Sequence, residues 1–101
     1  MSKQEIIQKI REAVEKDPLK KDIQKVALFG SQIHGDAKED SDVDVLIEFI
    51  PDAKIGFFKL AQIKRNMEDN VKKPIDLLTY EAISKYFRDE IISESELIYE
   101  K

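Results

Sequence analysis

The stretch FGSQIHGDAKEDSDVDVLIEF, Phe29 to Phe49, holds two of the chain's three glycines and then runs through closely spaced carboxylates into an apolar segment. From Asp42 onward the pattern alternates. Val43, Val45, Ile47 and Phe49 fall on one side of a strand, and Asp42, Asp44, Leu46 and Glu48 fall on the other. Side chains two apart on a strand point the same way, about 6.6 Å apart along it. Asp42 and Asp44 therefore aim two like charges at one place, a cost that a divalent cation removes. Open, hard oxygen donors suit magnesium, which keeps waters and takes further ligands from substrate phosphates. An ordinary acidic turn would carry the same letters.

The glycines upstream narrow the choice. Gly30 follows DIQKVALF, residues 22–29, which reads as a first strand whose run Val26 to Phe29 is apolar on both faces and therefore interior. Ser31 is then placed to open a short helix through SQIHG, whose free backbone N–H groups and hydroxyl would receive a phosphate. Gly35 lets the chain pass close to such a group. Two other motifs fail on the same letters. The spacing of Gly30 and Gly35 matches a P-loop, but Asp36 and Ala37 stand where lysine and Ser/Thr are needed. Asp40, Asp42 and Asp44 imitate a calcium loop, but Val45 replaces its glycine and Pro51 its terminal glutamate.

Around this stretch the expected order is helix, strand, turn, strand, helix, strand, helix. Ser2 and Glu5 have capping-box spacing ahead of the stripe Ile6, Ile7, Ile10 and Val14, and Asp17-Pro18 ends that helix. Phe57, Leu60, Ile63, Met67 and Val71 predict a second helix with its apolar stripe in the core and Lys59, Lys64, Arg65, Glu68 and Asp69 in solvent. IDLLT, residues 75–79, is a short strand. Ile83, Phe87 and Ile91 space out a last helix, and ELIY near the end reads as a strand. The fold class is α/β (α+β): a small mixed sheet of three to four strands flanked by helices, in a single domain spanning 1–101.

The chain has 101 residues, no cysteine and a net charge of −4 with 38% charged residues. Disulfide scaffolds, zinc-thiolate sites and cysteine nucleophiles are excluded. The mildly acidic balance argues against a binder of long nucleic acid, and the lysines at 20, 21, 25, 72 and 73 read as ordinary solvated groups. With no apolar run of membrane-spanning length and a charged N-terminus, the expectation is a soluble cytoplasmic protein with no membrane partner.

GSQIHGDAKEDSDVDVLIEF resembles the signature of the DNA polymerase β-like nucleotidyltransferases, glycine-serine followed after a short gap by Ser-Asp-x-Asp. The short length, with PIDLLTYEAI and FRDEIISESELIY, is similar to the minimal nucleotidyltransferase branch of that superfamily. The resemblance implies a palm-like fold. It implies nucleotide binding at Gly30, Ser31, Gly35 and Ser41, and two magnesium ions held by the catalytic carboxylates Asp42 and Asp44 with a third, Asp76 in PIDLL. It also implies ATP as substrate, with AMP moved onto a hydroxyl, and a HEPN-type helical toxin as partner, modified on a tyrosine so that the chain acts as its antitoxin. A binder that neutralises that partner without catalysis is the alternative, and the sequence leaves a homo-oligomer open. His34 stands where many minimal members have arginine.

Overall fold

The computed structural model describes residues 2–30 and 42–101. Ser31, His34, Gly35, Ser41 and the expected short helix after Gly30 lie outside the described residues. Helix α1, Lys3–Lys16, opens on the capping box read from sequence. Ser2 Oγ accepts from the Glu5 N–H at 3.2 Å and the Glu5 carboxylate accepts from the Ser2 N–H at 3.4 Å. Both bonds occupy donors that a helix start otherwise leaves unpaired. At the other end Asp17 is buried, accepting from the Leu19 N–H at 2.8 Å and from Asn66 Nδ2 at 3.1 Å. The residue that stops α1 thus also fastens it to the second helix.

Strands β1, Ile23–Phe29, β2, Val43–Phe49, β3, Ile75–Thr79, and β4, Glu96–Glu100, form one mixed sheet in the order β3-β2-β1-β4. β1 is antiparallel to both β2 and β4, and β2 is parallel to β3. Helix α2, Phe57–Val71, joins β2 to β3, as a parallel pair requires. Val26, Leu28, Val43, Val45, Ile47, Ile75, Leu77 and Ile98 bury themselves under Ile6, Ile10 and Val14 of α1 and Ile63, Met67 and Val71 of α2. Each such aliphatic side chain contributes about 1.5–3 kcal/mol on leaving water. That face is therefore closed by two helices. No described helix is long and apolar enough to cross a membrane.

Three expectations are corrected. Phe57 heads the apolar stripe of α2 but is 78% exposed: it is the helix's first residue, ahead of Ile63, where the buried part of the stripe begins. Glu68 does not simply face water: its Oε2 accepts the Ile75 N–H at 2.9 Å. Ile83 is buried but precedes helix α3, Lys85–Glu94. Ser84 caps α3 by accepting the Tyr86 N–H at 3.4 Å, so the helix begins after Ile83 and leaves Phe87 on its exposed side. The remaining boundaries differ from the sequence reading by about a residue, within the ordinary scatter of element ends. Asp42, for example, lies just ahead of β2.

Candidate active site

The opposite face of the sheet carries the residues that the alternation in β2 turned away from the core. Across the β1–β2 ladder Phe29 faces Asp44, Ala27 faces Leu46 and Lys25 faces Glu48. Across the β2–β3 ladder Asp44 stands opposite Asp76. Neighbouring strands lie about 4.8 Å apart, so these two carboxylates leave adjacent backbones at one level of the sheet. Asp42 precedes Asp44 by two residues and is exposed, as is Asp76, while Asp44 is half-buried.

Two hydrogen bonds set that level. The Val43 N–H donates to the Pro74 carbonyl at 3.0 Å, which places the start of β3 against the start of β2. Proline itself offers no N–H, so its carbonyl is the group that joins the ladder. The Glu68 carboxylate then takes the Ile75 N–H from the side of α2. Glu68 was missed as a positioning residue from sequence alone: helical periodicity gives its face of the helix, not the strand that returns beside it.

Gly30 closes the arrangement. It sits at the end of β1 with φ +80°, in the left-handed region that glycine enters without cost. A Cβ at this position would come within 3.0 Å of Asp44 Cγ and closer still to Oδ2. The backbone of Gly30 and the carboxylate of Asp44 share a space that no other residue leaves open. Two independent constraints, the backbone angle and the missing side chain, thus require glycine here.

Electrostatics follow from the crowding. The Asp44 carboxyl is raised above the ordinary carboxylate range, first by burial, then by the negative charges of Asp76 and Asp42. Asp44 is thus the carboxylate on which the charges of the other two converge. Among the described residues no three His, Cys, Asp or Glu side chains could by themselves hold a metal ion. Carboxylate oxygens on an open face are hard donors that would take a divalent cation only with water and substrate oxygens completing its shell. Neutralising Asp44 is the service such a cation would perform.

Comparison with known proteins points to one family. The family described as Polymerase beta, Nucleotidyltransferase matches residues 8–101. A Methanocaldococcus jannaschii protein, provisionally named a protein adenylyltransferase, is 32% identical over 77 residues, 76% of this chain and 81% of that one. A solved structure described as a minimal nucleotidyltransferase superposes with a TM-score of 0.75 at 25% identity, covering 94% of both chains. A chain from the structure of a tri-AMPylated Shewanella oneidensis HEPN toxin with its MNT antitoxin gives a TM-score of 0.68. At 14% identity, over 98% of this chain and 73% of that one, this last likeness speaks for the fold alone.

Proposed function

The chain belongs to the polymerase β nucleotidyltransferase family, and on that premise we propose that it transfers AMP from ATP to a tyrosine hydroxyl of a HEPN-type helical toxin, and so acts as the antitoxin. The observation that carries the reading is the register of Asp44 against Asp76 beside the side-chain-free turn at Gly30. The protein adenylyltransferase name of the M. jannaschii relative supports the choice of a protein as acceptor.

Asp42, Asp44 and Asp76 would hold two magnesium ions. Such ions supply charge neutralisation of the phosphates and a lowered pKa for the attacking hydroxyl. The chain's own groups do the rest. Gly30, with Ser31, Gly35 and Ser41, receives the triphosphate through backbone N–H groups and hydroxyls. Asp76 takes the proton from the acceptor oxygen. That oxygen bonds to the α-phosphorus in line, the bond from the α-phosphorus to the bridging oxygen breaks, and pyrophosphate leaves with the electron pair. Positioning and preorganised charge account for most of the acceleration.

The test is incubation of the chain with labelled ATP, magnesium and a HEPN-type helical protein from the same genome. Label on a partner tyrosine is the expected result. Asp42→Asn should lower transfer by orders of magnitude while its melting temperature is no lower than that of the wild type. A tight complex that forms without labelling would instead make the chain an antitoxin by binding alone.

A further inference from the structure

The face that carries Asp44 continues into a cavity of about 250 Å³, lined by Lys25, Ala27, Leu46, Glu48, Tyr80 and Ile92, with Ser95 at its edge. Leu46 and Glu48 lie two and four residues beyond Asp44 on the same side of β2, about 6.6 and 13 Å along the strand. A nucleotide with its phosphates at Gly30 and its α-phosphate at Asp44 would span the first interval with its ribose and reach the second with its base. The floor of the cavity is apolar, made by Ala27 and Leu46, which are cross-strand partners. Its wall is aromatic and held in place. The Arg88 guanidinium lies 4.5 Å from the Tyr80 ring centre, and Arg88 also donates to the Ile83 carbonyl at 3.0 Å.

At the far end stand Lys25 and Glu48, themselves cross-strand partners. Among the described residues neither forms an ion pair. One is a donor and the other an acceptor, side by side above an apolar floor. Adenine presents the matching pair on one edge, an amino donor beside a ring-nitrogen acceptor, whereas the same edge of guanine offers two acceptors. Resting on the transferase reading above, we infer that this cavity is the nucleoside subsite and that Lys25 and Glu48 select the adenine base of the donor.

The experiment measures binding of ATP, GTP and inorganic tripolyphosphate, each with magnesium, to the full chain and three variants. Ala27→Met and Leu46→Phe fill the cavity from different strands, so that one remains informative where the other fails to fold. The expected result is ATP binding weakened at least about tenfold in a folded filling variant, with tripolyphosphate binding kept within about twofold. Glu48→Gln should narrow the preference for ATP over GTP. Unchanged ATP affinity in a folded filling variant would overturn the inference, as would equal loss of ATP and tripolyphosphate, or lost transfer with ATP binding intact, since the cavity would then serve the acceptor. A wild-type chain that binds tripolyphosphate but shows no preference for ATP over GTP would remove the role of Glu48. Failure of the wild-type chain to bind either ATP or tripolyphosphate would remove the transferase reading itself and this inference with it.

Discussion

Asp44 is where stability and chemistry pull apart. Its carboxyl is raised by burial and by the charges of Asp76 and Asp42, so the folded state holds that proton more tightly than the unfolded chain does. Below the ordinary carboxylate range the group is protonated in both states and contributes nothing. As pH rises through that range and past the raised folded value, the unfolded state ionises first and the fold loses stability. Asp44→Asn should therefore be more stable than the wild type at neutral pH in the absence of metal. The advantage should vanish as the solution is taken below the carboxylate range, a comparison that denaturant titration at several pH values makes directly. Magnesium should raise the melting temperature of the wild type more than that of the variant. A variant less stable than wild type at pH 7 without metal would show that repulsion is not what burdens this residue. Much of this was legible in sequence, since the alternation in β2 already put Asp42 and Asp44 on one side. The half-burial of Asp44 was not, because it depends on Gly30 closing over it.

At the scale of elements, α2 shows what periodicity reveals and what it leaves out. Ile63, Met67 and Val71 are buried as their spacing requires, yet Phe57 on the same stripe is 78% exposed and its neighbour Phe58 is 87% exposed. A stripe reports direction around the helix axis but not how far the sheet extends beneath it. Ile63→Ala should accordingly cost about 2–5 kcal/mol, whereas Phe57→Ser should stay within about 0.5 kcal/mol; urea unfolding of the two variants separates the cases. The same helix holds β3 through Glu68, and β3 brings Asp76 to Asp44. Glu68→Ala leaves the Ile75 N–H without its acceptor, costing about 1–3 kcal/mol if the group stays dry. Transfer measured under saturating ATP should fall with it, and Glu68→Gln, which still offers a carbonyl oxygen, should restore most of the rate. Equal loss in both variants would mean that the charge of Glu68, not its acceptance of that bond, is what matters.

Across the whole molecule the sheet divides two duties between its faces. One face is sealed by α1 and α2, and the other carries the aspartates and the cavity in front of α3. The local pattern of each strand could be read one at a time, but their order could not. That β3 returns parallel to β2, while β4 takes the far side of β1, depends on contacts between segments distant in the chain. Before the structure, only the family resemblance brought Asp76 to the site. β4 matters here because Ile98 is buried in the sealed core and its carbonyl accepts from Arg11 Nε of α1 at 3.0 Å. Ile98→Ala should lower the unfolding free energy by about 2–5 kcal/mol, a large part of the roughly 5–15 kcal/mol that a chain of this size holds. Well below its melting temperature the variant should still bind ATP with magnesium within about twofold of wild type, because β4 is separated from β2 by β1 and contributes no aspartate to the site. Calorimetric unfolding and ATP titration on the same sample test both halves of that statement. Substantial loss of ATP affinity while the variant remains folded would show that the core reaches through the sheet to set the positions of Asp44 and Asp76.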